Sequence, residues 1–159
     1  MLEFIAARGS ASFLQTPAWA RVKSEWRGER VGFYDGDELT GVGLILYRKL
    51  PKLPRYLAYL PEGPVLDWSR DDIAEHFDAL VTHVKKRQAF AVRIGPAVVH
   101  RIWGTKTIKT AIADDNITSL TEVEPDIVTP EGEHVVSVLK QGGWITCLLY
   151  TSPSPRDRG

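Results

Sequence analysis

Over residues 70–87 the apolar side chains Ile73, Phe77, Leu80, Val81 and Val84 recur at helical spacing, and charged residues fill the positions between them. The segment therefore predicts an amphipathic helix with one apolar stripe. Ser69 and Asp72 predict a capping-box-like pair at its start, and Lys85, Lys86 and Arg87 complement the helix dipole at its end. Such a stripe is stable only when buried against another layer, and the residues on either side supply one.

Upstream, residues 30–34 read as a strand, Asp35-Gly36-Asp37 as its turn, and residues 39–49 as a long returning strand. Gly41 and Gly43 within that run predict a bulge or a close backbone approach. The Pro-rich connection Leu50-Pro51-Lys52-Leu53-Pro54 leads to a strand over 55–60. Pro61-Glu62-Gly63-Pro64 breaks it, and Val65-Leu66-Asp67 resumes an extended path. Downstream of the long helix, residues 90–94 predict a buried strand ending at Gly95-Pro96, and residues 105–129 are polar and weakly patterned. A last amphipathic helix over 131–141 turns Val135, Val138 and Leu139 inward and ends at Gly142-Gly143. Near the start of the chain, Thr16 can cap a helix and Pro17 suits its first turn. Trp19, Val22 and Trp26 follow at helical spacing, with Gly28 as a stop. The fold class expected is α/β (α+β): a mixed, largely antiparallel sheet flanked by helices. It forms one domain over residues 1–146. Residues 147–159 follow none of these patterns and resemble translated adapter read-through, so they predict a non-native or disordered tail.

Charge and cysteine content narrow the chemistry. Twenty basic and twenty acidic residues cancel, so no overall field draws DNA or RNA. The single cysteine, Cys147, excludes an internal disulfide and a cysteine-rich metal site. With no leader-like N-terminus and no apolar run of about 18 residues, the expectation is a cytoplasmic protein.

Catalytic motifs are absent: there is no nucleophile elbow, P-loop or dinucleotide fingerprint. His76 and His83 lie on nearly one face of the same predicted helix. A rise of about 1.5 Å per residue sets them roughly 10 Å apart, too far to share a metal. They read as solvated or half-buried helix histidines, and no metal site is expected. Glu38-Leu39-Thr40-Gly41-Val42-Gly43 echoes the pyrophosphate loop of acetyl-CoA-dependent acetyltransferases. The acid at its head and the β-rich run after it both oppose phosphate binding, so no coenzyme is expected.

Two features suggest ligand contact. Lys23 lies between Trp19 and Trp26 on the first predicted helix, where it can hold a phosphate while the indoles pack on a nucleoside or sugar. On spacing alone the simpler reading is a lysine snorkelling over a core-facing tryptophan stripe. Arg93 interrupts the apolar run Phe90-Ala91-Val92-Arg93-Ile94. It either pairs with an internal acid or faces a crevice at the strand end.

Four ordered blocks resemble the Fem family of peptidoglycan-bridge aminoacyltransferases. They are Ser12-Phe13-Leu14-Gln15-Thr16-Pro17-Ala18-Trp19 and on to Trp26; Tyr56-Leu57-Ala58-Tyr59-Leu60-Pro61-Glu62-Gly63-Pro64 and on to Trp68; Phe90 to Pro96; and Leu139-Lys140-Gln141-Gly142-Gly143-Trp144. The resemblance covers about residues 12–145. It implies an acetyltransferase-like (GNAT-like) fold, the first of two such domains in a full-length member. It also implies transfer of an amino acid from aminoacyl-tRNA, the co-substrate, to the peptide of UDP-MurNAc-pentapeptide or lipid II. In the family a lysine of the Trp-x-x-x-Lys helix contributes to the precursor site, and Lys23 matches it. Tyr59 and Arg93 fall in matched blocks near the same cleft, and Trp19 and Trp26 frame the lysine. No catalytic residue carries over. The resemblance places tRNA contact in a second half, leaving this segment a binding fragment that is inactive alone, with or without peripheral association at the inner face of the membrane. The other readings are an acetyl-CoA-dependent N-acetyltransferase and a non-enzymatic interaction domain.

Overall fold

The computed structural model of the chain describes residues 1–8 and 12–146. The predicted stripe forms α3 (Ile73–Lys86), whose Ile73, Phe77, Leu80 and Val84 are buried. Val81 is half-buried at the margin. The expected capping box does not form. Asp72 occupies the cap position, but its carboxylate accepts two hydrogen bonds from the Arg70 guanidinium, at 2.7 and 2.6 Å, and makes none to the helix.

The helix packs on a five-stranded sheet. β1 (Arg27–Asp35) and β2 (Glu38–Lys49) form the predicted hairpin, with Gly36 at φ +57° in its turn. β3 (Tyr56–Leu60) continues antiparallel on β2, and the short β4 (Val65–Leu66) pairs farther along the same strand. β5 (Ala89–Ile94) adds on to β3 in parallel, the pairing allowed by a helical crossover such as α3. The path is β1-β2-β3-β5, so the sheet is mixed and largely antiparallel, flanked by helices, as expected. β5 is not the buried strand predicted. Among the described residues it pairs only with β3, and Phe90 is 55% exposed. Gly41 marks a close approach, because a Cβ there would lie 2.2 Å from the Leu66 side chain.

Alternation along β2 creates two different faces. Ile45 and Tyr47 point toward α3 and join Phe33, Ala58, Leu60, Phe77 and Leu80 in the core. α5 (Pro130–Gln141) closes that core with Val135, Val138 and Leu139 inward, and Trp144 lies 5.5 Å from Phe77. Leu44, Leu46 and Arg48 point the other way. There the N-terminal segment crosses β1 and β2: α1 (Leu2–Ala6), a 3₁₀ turn (Phe13–Gln15) and α2 (Pro17–Val22).

α2 is shorter than its sequence pattern. It ends at Val22, and the chain passes through a turn into β1, where Arg27 pairs with Tyr47 and Gly28 with Leu46. Gly28 is thus a strand residue and not a helix stop. A Cβ there would approach the Ala20 methyl to 2.9 Å, so glycine lets the strand and α2 touch. Thr16 sits at the cap position without a side-chain cap, its hydroxyl donating to Phe13 O instead at 2.7 Å.

The weakly patterned stretch contains order the sequence did not announce. β6 (Arg101–Ile102) and β7 (Ile127–Val128) pair antiparallel and bracket α4 (Thr105–Ile112). The cap of α4 comes from 22 positions away: the Asp126 carboxylate accepts from Gly104 N–H at 2.6 Å and from the Thr107 hydroxyl at 2.8 Å. The tail expected over 147–159 lies outside the described residues.

Candidate binding surface

The face under the N-terminal segment owes its position to Gln15. β2 bonds β3 from Leu46 onward and β4 at Gly41 and Val42, so Leu44 N–H faces the gap between those strands. The fully buried Gln15 fills that gap. Its carbonyl accepts from Leu44 N–H at 2.8 Å, and its amide donates to Pro61 O at 2.6 Å. Gly63 leaves room for it, since a Cβ there would fall 2.3 Å from the Gln15 carboxamide. The turn carrying Gln15 is thereby fastened to the sheet, and the residues after it are held over the strands.

Those residues divide into two groups. Trp19 on α2 packs edge-on against Phe13, ring centroids 5.5 Å apart, and the Lys23 ammonium lies 5.4 Å from the Trp19 ring centre. Trp26 does not share a helix surface with them, because α2 has already ended. It instead leans on Tyr59 of β3, with ring centroids 6.3 Å apart. The guanidinium of Arg93 lies over the far part of this pair, 5.7 Å from the Tyr59 centroid, and that of Arg48 lies 5.6 Å from the Trp26 ring. Register explains the proximity: Tyr59 is the β-partner of Arg93, and both project from the face opposite α3. Lys23 and Trp26 remain coupled through a turn in which Trp26 N–H donates to Lys23 O at 2.9 Å.

Of the two options left for Arg93, pairing with an internal acid does not occur among the described residues; it lies over an aromatic ring. Trp19 and Trp26 are both half-buried against neighbours. Arg48 and Gln15 were not singled out in the sequence. The two-residue period placing Arg48 beside Leu44 and Leu46 was readable, whereas the gap that requires Gln15 depends on which strands pair.

The α3 face is chemically different. Glu29 accepts hydrogen bonds from Arg87 at 2.7 Å and Tyr47 at 2.8 Å, and lies 3.2 Å from His83. Burial alone would raise its carboxyl, but the bonds from Arg87, Tyr47 and His83 outweigh it and hold the group at about 2. Burial and the Glu29 carboxylate push the Tyr47 phenol up. His83 is half-buried, as expected, but His76 is not. It is 8% exposed, and its ring nitrogens meet the Thr40 hydroxyl at 2.8 Å and Asp72 O at 2.9 Å. A cleft of about 380 Å³ lies beside them between β1 and α3. No cluster suited to a metal occurs among the described residues, and no described helix is long and apolar enough to cross a membrane. Glu38 to Gly43 runs within β2 and opens no helix, so the acetyltransferase phosphate-loop geometry is missing.

The FemAB family profile matches residues 2–123. Lipid II:glycine glycyltransferase of Staphylococcus saprophyticus subsp. saprophyticus is 34% identical over 98 residues, 60% of this chain and 24% of that protein. The protein of the same description from Staphylococcus haemolyticus is 35% identical over 98 residues, 60% of this chain and 23% of that protein. The chain thus spans about a quarter of the length of the curated relatives it matches. The crystal structure of FemX superposes with a TM-score of 0.56 at 24% identity, covering 87% of this chain and 28% of FemX, a likeness of fold.

Proposed function

Because the chain belongs to the FemAB family, we propose that it supplies a precursor-binding surface to an aminoacyltransferase acting on a peptidoglycan precursor. The observation that carries this reading is the gathering of Trp26, Tyr59 and Arg93 on one sheet face, next to Lys23 on Trp19, with no carboxylate paired to either cation among the described residues. Unpaired cations over aromatic rings suit a ligand that joins anionic groups to sugar or base surfaces.

In this reading residues 1–146 form one acetyltransferase-like domain. Lys23 takes a phosphate of UDP-MurNAc-pentapeptide or lipid II, and Trp19, Trp26, Tyr59 and Arg93 line the path of the rest. The relatives' printed description, a glycyltransferase acting on lipid II, supports the same precursor class. Aminoacyl-tRNA is the co-substrate. Its contact and the completed acceptor channel belong to sequence beyond this chain, which by itself binds without transferring.

Calorimetric titration with UDP-MurNAc-pentapeptide tests the assignment. A charge-assisted contact contributes about 1.5–3 kcal/mol, so Lys23→Ala should weaken binding about tenfold to a hundredfold. Unchanged affinity would remove Lys23 from the site. A thermal-shift series with coenzyme A should give no stabilisation; a clear shift would favour an acetyltransferase.

A further inference from the structure

Arg48 has no role in the precursor site so far described, yet it completes a row of neighbouring cations and rings across the sheet: Arg48, Trp26, Tyr59, Arg93. The two arginines differ from Arg70 and Arg87 on the other face, and share with Arg27, which lies 5.5 Å from the Tyr47 ring centre, a cation–ring contact without an ion pair. Among the described residues, arginine side chains that donate hydrogen bonds are Arg8, Arg70 and Arg87, and those in ion pairs are Arg70 and Arg87. Arg48 and Arg93 do neither. A guanidinium resting on an aromatic face has its plane oriented while its edge N–H donors stay open for a phosphate or carboxylate, which they meet two bonds at a time.

The two arginines also begin at separate points. Arg48 is the β-partner of Leu57 on β3, while Arg93 partners Tyr59 from the next strand over. Two strand spacings and two residues of rise put their backbones about 12 Å apart. A surface so arranged suits a ligand carrying more than one anionic group along its length.

We propose that Arg48 is a specificity-determining residue of this surface, oriented by the Trp26 ring to receive an oxyanion of the ligand at a point distinct from Lys23. The proposal rests on the reading that this face binds the peptidoglycan precursor. The shared chemistry is a planar, two-bond contact to an oxyanion, whether a phosphate of the diphosphate or a carboxylate of the peptide.

The test titrates UDP, UDP-MurNAc and UDP-MurNAc-pentapeptide into the unaltered chain and into Arg48→Gln, Arg48→Lys and Lys23→Ala. Arg48→Gln should weaken the pentapeptide ligand about tenfold to a hundredfold. Because Arg48 is exposed, the thermal midpoint should stay in place. A loss that extends to UDP identifies the oxyanion as phosphate; a loss confined to the pentapeptide ligand identifies a carboxylate. Arg48→Lys keeps the charge but not the planar fork, so it should leave most of the loss in place. Full rescue by lysine overturns the role assigned to stacking on Trp26. Unchanged affinity in Arg48→Gln, with Lys23→Ala weakened, overturns the Arg48 proposal and leaves the precursor site standing. No binding of any ligand by the unaltered chain overturns both.

Discussion

The two faces of the sheet come from the same strands and obey different rules. Toward α3, Phe33, Ile45, Tyr47, Ala58 and Leu60 are buried, and the margin carries the ion pairs of Glu29 with Arg87 and Asp72 with Arg70, while Arg27 rests on the Tyr47 ring. Toward the N-terminal segment, Leu44 and Leu46 are sealed by α2 and the Gln15 turn, but beyond them lie half-buried rings and cations without acids. Ion pairs concentrate on one face, and on the other Arg48 and Arg93 lie over rings without an acid among the described residues. Because side chains alternate along a strand, a single run such as Leu44-Ile45-Leu46-Tyr47-Arg48 can serve both purposes.

Substitutions should separate the faces. The largest effect on stability is expected from Phe77→Ala, which removes a buried ring packed between Trp68 and Trp144. It should cost about 3–5 kcal/mol in chemical denaturation while leaving precursor affinity per folded molecule unchanged. A selective loss of affinity would show that the α3 face also contacts ligand.

Gln15→Leu probes the seam between the faces. It strands Leu44 N–H and Pro61 C=O in the interior, at a cost of about 2–4 kcal/mol. It should also loosen the turn that holds Trp19 and Lys23, so affinity should fall with stability. Lost stability with intact affinity would mean that α2 is positioned without Gln15.

Glu29 gives a smaller, pH-dependent effect. Its folded carboxyl, at about 2, lies below the ordinary value of 4.5, so its bonds contribute stability above that ordinary value. The contribution should fade as pH drops from about 4.5 toward 2. Glu29→Gln should cost about 1–2 kcal/mol at neutral pH and flatten this part of the acid-unfolding curve. An unchanged curve would show that the network of Arg87, Tyr47 and His83 adds nothing to folding.

The α3 face was largely legible in the sequence and the N-terminal face only in part. The stripe of α3, the hairpin turn at Gly36 and the inward residues of α5 follow from local period and turn chemistry. Trp19, Lys23 and Trp26 also looked like one helical surface. Strand pairing at Arg27 and Gly28 overrode that period and moved Trp26 on to Tyr59. The cap of α4 by Asp126 and the gap filled by Gln15 depend on contacts between distant segments, which spacing does not encode. The capping box at Ser69 and Asp72 does not form because Asp67 takes the Ser69 N–H and hydroxyl, Arg70 takes the Asp72 carboxylate, and α3 begins only at Ile73.

Ligand is expected on the face opposite α3. The indole N–H resonances report on it directly, because the tryptophans divide between the faces. Trp19 on α2 and Trp26 after it lie on the side of the sheet opposite α3, Trp68 and Trp144 pack on Phe77 in the α3 core, and Trp103 donates to Val123 O near α4. Titrating UDP-MurNAc-pentapeptide into the chain should shift the Trp19 and Trp26 signals and leave those of Trp68, Trp103 and Trp144 in place. Shifts confined to Trp68 and Trp144, or to His76 and His83 at the cleft beside α3, would instead put the ligand on the α3 side.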